Sequence, residues 1–219
     1  SQEITRWLSD SRGRLGVLLA DELTYNRFLL LAQLEQSGIG SLRRTFNEQF
    51  YEAVKVDPTF SEIFFYDKTG LILASSNTGQ ISKRVSRQPY FEPSLKAPYS
   101  QPPYYEPGTN RLTIVLTQPV VDKGQTVGVL AGRLNIQTLG NLMTERTGLG
   151  ESGETYLISA EGNYMLTPSR FPGYPMVQAY HSLGIDRALA GESGIATYEN
   201  YRGETVFGVY RWVPELQSA

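Results

Sequence analysis

Cysteine is absent from this 219-residue chain, and histidine occurs once, at His181. Without a thiol there is no cysteine nucleophile and no thiolate metal site. With a single imidazole there is no histidine cluster, and most catalytic triads are excluded too. No disulfide holds the fold, so it needs no oxidising compartment, and exported bacterial domains without cysteine are common. An excess of either charge is also lacking: 20 basic residues against 22 acidic give a net charge of -2. No basic face or run therefore points to nucleic acid. No stretch approaches the ~20 apolar residues of a membrane span, and none reads as a signal peptide. The chain opens inside a helical pattern and stops at Pro214-Glu-Leu-Gln-Ser-Ala219, which is expected of a piece of a longer protein.

What is present is a 40% hydrophobic content, enough for a core, with 21 Gly and 12 Pro that demand many turns. Fourteen Tyr supply apolar area with a polar tip. Two motifs recur in one order. Glu62-Ile-Phe-Phe-Tyr-Asp-Lys-Thr-Gly70 is echoed by Glu154-Thr-Tyr-Leu-Ile-Ser-Ala-Glu-Gly162. Lys123-Gly-Gln-Thr-Val-Gly-Val is echoed by Arg202-Gly-Glu-Thr-Val-Phe-Gly-Val. Two copies of one small mixed fold in tandem follow, the second shorter between its motifs.

Residues 2–36 carry a leucine stripe (Leu8, Leu15, Leu18, Leu19, Leu23) at helical spacing. Ser37-Gly-Ile-Gly40 breaks that helix. Ser41 caps a second, with Leu42, Phe46, Phe50 and Ala53 inward and Asp57-Pro58 at its end. The period then shortens. Residues 63–66 and 71–74 read as a hairpin about the Asp67–Gly70 turn, 77–110 as a long irregular loop, and 111–117 and 126–134 as strands. Residues 136–147 read as a connecting helix with Leu139, Leu142 and Met143 inward. The second copy offers strands at 154–159, 163–167, 194–201 and 204–213, with a short helix near 182–190. The fold class is α+β: a long N-terminal helix packed on two tandem PAS-like antiparallel-sheet units. The divisions are a helical stalk and second helix (1–56), a first unit (57–135), the connecting helix (136–147) and a second unit (148–219).

This order, with the phrases Tyr66-Asp-Lys-Thr-Gly70, Ser86-Arg-Gln-Pro-Tyr-Phe91, Thr117-Gln-Pro-Val-Val-Asp122, Gly128-Val-Leu-Ala-Gly-Arg-Leu134, Gly153-Glu-Thr-Tyr-Leu157 and Trp212-Val-Pro-Glu-Leu216, resembles the double Cache sensor domains. The resemblance implies a periplasmic or extracellular small-ligand sensor of a bacterial receptor: a histidine kinase, a chemoreceptor or a cyclic-dinucleotide enzyme. It implies flanking transmembrane helices, a homodimer through the N-terminal helix, and no catalysis or cofactor in this fragment. It implies a ligand in the first, membrane-distal unit, with Tyr90, Phe91 and Tyr104 matching pocket aromatics. Arg133 falls where amino-acid-binding members carry an ammonium-binding Asp, and Gln88, beside Arg87, falls where they carry an Arg. An ammonium about 4 Å from Arg133 would be repelled by roughly 4 kcal/mol at an effective dielectric of 20. A small carboxylate or other anion is favoured over an amine, and an Arg fork suits it.

Each candidate also has a plainer reading. Arg133 serves as a ligand anchor or as half of an ion pair with Glu106 or another acid. Tyr90, Phe91 and Tyr104 line a pocket or pack a loop onto its sheet. Tyr66 and Ser75 belong to a pocket or to the core, and Glu106 gates a site or is solvated. Gly148-Leu-Gly-Glu-Ser-Gly153 has dinucleotide-fingerprint spacing but opens a strand rather than a helix, and is set aside. Glu199 and Glu204 have the types for glycoside hydrolysis without a cleft pattern around them. The alternative to a small-ligand sensor is a ligand-independent dimerisation or protein-interaction module of the same fold.

Overall fold

The computed structural model describes residues 2–33, 40–106, 111–144 and 149–219. The expected break at residues 37–39, the loop tail at 107–110, the end of the connecting helix beyond 144 and the Leu142 side chain lie outside them. The helices are α1 (Gln2–Val17), α2 (Glu22–Gln33), α3 (Gly40–Val56), α4 (Phe91–Ser94), α5 (Ile136–Thr144) and α6 (Leu183–Leu189). The strands are β1 (Phe60–Asp67), β2 (Ile72–Ser75), β3 (Tyr99–Glu106), β4 (Arg111–Asp122), β5 (Gln125–Leu134), β6 (Ser193–Glu199) and β7 (Thr205–Arg211). β1 to β5 form one sheet in the order β2-β1-β5-β4-β3, and β6 and β7 form a separate hairpin.

Contacts divide the chain into two compact units. The sheet unit comprises residues 7–101 and 113–135; the hairpin unit comprises 1–6, 102–112 and 136–219.

The first helical stretch differs from expectation in one respect. It is interrupted at 18–21, where Leu18, Leu19 and Ala20 donate three residues back, to Leu15, Gly16 and Val17. Asp21 then restarts the helix by accepting from the Thr24 amide at 2.8 Å, an N-cap bond that ends one helix and begins the next. The stripe is split accordingly: Leu8 and Leu15 are buried, whereas Leu23 is 60% exposed.

In the sheet unit α3 packs on β1 and β2, and α2 on β5. Phe28 of α2 stacks on Phe46 of α3 at 4.3 Å between centroids and meets Phe65 of β1 at 4.9 Å. Ile63-Phe-Phe-Tyr66 is buried throughout because helices cover one sheet face and the 76–98 segment the other. β3 falls within the stretch whose sequence reads as an irregular loop. Its Pro102-Pro103 argue against a strand, but β3 is the last strand of the order, and an edge strand tolerates residues without an N–H.

In the hairpin unit α6 and the β6–β7 hairpin stand as expected, with Ser182 capping α6 through the Ile185 amide. The expected strands at 154–159 and 163–167 are not regular strands. They meet only at the bridge Ile158–Met165, and Ser159 bridges to Ser218 instead. The backbone of Ile158 exchanges both bonds with Ala219, at 2.9 and 2.8 Å. The last residues of the chain thus occupy the edge of this segment. A core of Ile158, Met165, Tyr180 and Ile185 lies beneath it, with Tyr156, Tyr174 and Tyr201 packed against it.

Candidate ligand-binding site

Residues directly opposite in a ladder share a face, and neighbours along a strand alternate. Phe65 meets Phe28 on the helix side, so Glu62, Phe64 and Tyr66 point to the other face. Their ladder partners there are Arg133, Ala131 and Val129 on β5, and Ser75 on β2 opposite Phe64. The sequence candidates Tyr66, Ser75 and Arg133 therefore share one sheet face, together with Glu62, which the sequence reading did not single out.

Glu62 organises that face. Its Oε2 accepts from Arg133 Nε at 2.8 Å and its Oε1 from the Ser75 hydroxyl at 2.8 Å. The Arg133 and Glu62 side chains are 11% and 9% exposed. The Arg133 guanidinium also lies 5.2 Å from the centre of the Phe64 ring, a cation–π contact. A signal for Glu62 was present: it opens the first copy of the repeated motif, as Glu154 opens the second. Glu154 also accepts from a serine, Ser169 Oγ at 2.7 Å.

The 76–98 segment closes over the face. Tyr66 Oη and Ser94 Oγ lie 2.7 Å apart. The Ser94 hydroxyl donates to the Phe91 carbonyl, so the phenol is the donor to Ser94. Burial pushes the Tyr66 phenol well above its usual range, and it stays protonated. The Tyr66 ring lies 6.4 Å from Tyr90 and 6.1 Å from Phe91. Tyr66, Ser75 and Tyr90 are fully inaccessible. At the foot of the segment the Asp67 carboxylate holds the turn, accepting from the Thr69 and Leu71 amides. Gly70 there has φ +82°, and a Cβ would meet the Ser86 amide nitrogen at 2.8 Å, so no other residue fits without strain.

The structure thus brings together Tyr66, Tyr90 and Phe91 as an aromatic wall, and Ser75 and Arg133 through Glu62. Gln88 is half-buried in the closing segment, its carbonyl accepting from the Phe91 amide. Arg87 is exposed. Tyr104 (buried) and Glu106 (half-buried) lie on the part of β3 that belongs to the hairpin unit. Among the described residues no cluster of three or more His, Asp or Glu could hold a metal ion. Glu204 is 60% exposed and pairs with Arg202, and Glu199 is exposed as well. No described helix is long and apolar enough to cross a membrane.

The Cache domain family model matches residues 1–217. The methyl-accepting chemotaxis protein PctB of Pseudomonas aeruginosa is 23% identical over 151 residues, 66% of this chain and 23% of that protein. The match thus spans about a quarter of this curated relative. Among solved structures, the extracellular domain of rpHK1S-Z16 aligns with a TM-score of 0.60 at 15% identity, covering 96% of this chain and 91% of that one. The sensor domain of the V. cholerae histidine kinase DctB gives 0.55 at 12%, covering 99% and 95%. The ligand-binding domain of the Pseudomonas fluorescens chemoreceptor CtaA, in complex with L-isoleucine, gives 0.56 at 20%, covering 93% and 77%. These likenesses show a shared fold. With a family model matched along nearly its whole length, the chain belongs to the Cache domain family, whose double-domain members are extracytoplasmic sensor modules, not catalysts, of membrane receptors.

Proposed function

We propose that this chain senses a small ligand for a bacterial transmembrane receptor (a histidine kinase, chemoreceptor or cyclic-dinucleotide enzyme) and that a small carboxylate binds in the sheet unit. The observation that carries this reading is the Glu62–Arg133–Ser75 network set beside Phe64, Tyr66, Tyr90 and Phe91. A polar head next to an aromatic wall is what a small amphiphilic acid needs. A guanidinium matches the planar geometry of a carboxylate. Glu62 also changes the sequence argument. It neutralises Arg133, so the repulsion of an ammonium is offset, and amino acids, the ligands of CtaA, stay within reach. A carboxylate is still required, and an amine without one is not expected to bind. Entry requires the 76–98 segment to lift, breaking the Tyr66–Ser94 bond. A ligand that prefers one position of that segment shifts the equilibrium between the two.

Thermal melting tests this with 3-methylbutanoate, L-leucine and 3-methylbutylamine. A ligand at 100 times its Kd stabilises by about 2.7 kcal/mol. The two carboxylates are expected to raise Tm and the amine not, and the shift is expected to vanish in the neutral, near-isosteric Glu62→Gln/Arg133→Gln variant. A shift with the amine alone, or one that survives the double variant, would overturn the assignment. No shift with any compound would favour the second reading, a ligand-independent interaction module. In support of that module, and of a homodimer in either case, Leu23 and Leu30 lie one heptad apart on α2 and are 60% and 49% exposed. Sedimentation showing only monomer at high concentration would remove the dimer.

A further inference from the structure

We propose that the hairpin unit holds a second small-molecule site, independent of the reading above, for a carboxylate with an aromatic or similarly bulky apolar body. In the sheet unit, β1 is paired along its length with β5. In the hairpin unit, the counterpart of β5 is β7, which among the described residues pairs only with β6. The counterpart of β1 spends its edge on residues 217–219. Between Gly153–Ile158 on one side and Val206–Val213 on the other opens a cavity of about 510 Å³. Small-molecule sites typically measure roughly 300–1,000 Å³.

Its walls are mostly apolar: Met143, Leu157, Ile185, Ala188 and Val206, with the ring of Tyr198. The close approach of Tyr198 depends on two glycines. A Cβ on Gly184 or Gly208 would lie 2.2 or 2.3 Å from its hydroxyl oxygen. The β7 backbone supplies polar groups. The Asn200 amide donates to the Glu204 carbonyl, so by antiparallel alternation the bonded pairs are 198–206, 196–208 and 194–210. The amides and carbonyls of Phe207 and Val209 then face the opposite edge. That explains why both residues line the cavity although their side chains are 77% and 72% exposed.

The charged group is Arg202. Its side chain is only 9% exposed. Its face stacks on Phe171 at 3.6 Å, and its Nη2 donates to Glu204 at 3.0 Å. Its Nε is buried and has no hydrogen-bond partner among the described residues. A buried cationic donor left unmet is costly, and an anionic acceptor relieves that cost. The carboxylate of Glu154, which also lines the cavity, is already engaged by the Ser169 hydroxyl, the Arg170 amide and the Tyr201 hydroxyl. The unmet donor, not the acid, therefore selects the ligand's head group.

Calorimetric titration of the 219-residue protein with phenylacetate, and with 2-phenylethanol as its neutral counterpart, tests the site. Phenylacetate is expected to bind about tenfold or more tightly than the alcohol. Measured in the Glu62→Gln/Arg133→Gln background, which removes the sheet-unit site, that difference is expected to persist, and adding Arg202→Gln is expected to remove it. In case Arg202→Gln does not fold, the Nε–H resonance of Arg202 in the unmodified protein is a second readout, and phenylacetate is expected to shift it. The proposal is overturned by no binding of millimolar phenylacetate, by equal binding of the alcohol, or by an unmoved Arg202 resonance. Loss of binding in the sheet-unit variant alone would also overturn it, by returning the ligand to the first site.

Discussion

Glu62→Ala, with Arg133 left in place, is expected to destabilise the sheet unit by about 3–5 kcal/mol. The reason lies in what remains. Arg133 is 11% exposed and its Nε bond runs to Glu62, so removing the acid takes a carboxylate away from a buried cation. Most of the loss is the cost of leaving that buried charge less well compensated rather than the worth of the pair. Replacing both residues, as Glu62→Met/Arg133→Met, is therefore expected to recover most of it, because an apolar pair of similar volume spares both desolvation costs. A residual deficit of about 1 kcal/mol is expected from the Ser75 hydroxyl, which loses its acceptor. Urea unfolding of the three proteins measures this. A single variant as stable as the parent would show that water reaches Arg133 and that the pair is effectively a surface one. A double variant no better than the single would show that the pair itself, and not the charge left behind, carries the energy.

Phe28→Ala is the second large effect. Phe28 is fully buried on α2 and its ring meets three others: Phe46 at 4.3 Å, Phe65 at 4.9 Å and Phe50 at 6.1 Å. Truncating such a ring removes its transfer energy and leaves a cavity between the helices and the sheet, at about 3–5 kcal/mol. For a chain of this size that corresponds to a fall in Tm of about 6–20 °C. Asn26→Ala on the same helix serves as the control. Asn26 is exposed, so its truncation is expected to change stability by no more than about 0.5 kcal/mol. Equal effects from the two variants would mean that α2 does not dock on the sheet through Phe28.

Much of the sheet unit was legible because its signals are local. The Asp67–Gly70 turn is written in residue types that fix its geometry. β5 is an apolar run that ends before the helical pattern of α5, and α3 shows its inward face as Phe46 and Phe50. The break at 18–21 was not legible, because the leucine spacing carries on through it and only the Asp21–Thr24 bond marks the restart. β3 was missed because prolines veto a central strand but not an edge one, and strand order is not a property of the segment itself. Within the candidate site, the aromatic residues and Arg133 were visible by type. Glu62 was passed over, though it heads a repeated motif, because nothing local shows that an acid inside an apolar run faces an arginine some 70 positions away in sequence.

By itself, the sequence determined the mixed α+β class, the turns and the absence of thiol and histidine-cluster chemistry, since these depend on residue type and short spacing. Only the tertiary structure decided which residue neutralises Arg133, which face Tyr66 and Ser75 share, and that β1 is paired with β5 while its counterpart in the second copy is not paired with β7. Charge pairing, burial and strand partnership are relations between distant segments. Their energies appear only when the chain has brought those segments together and excluded water from between them.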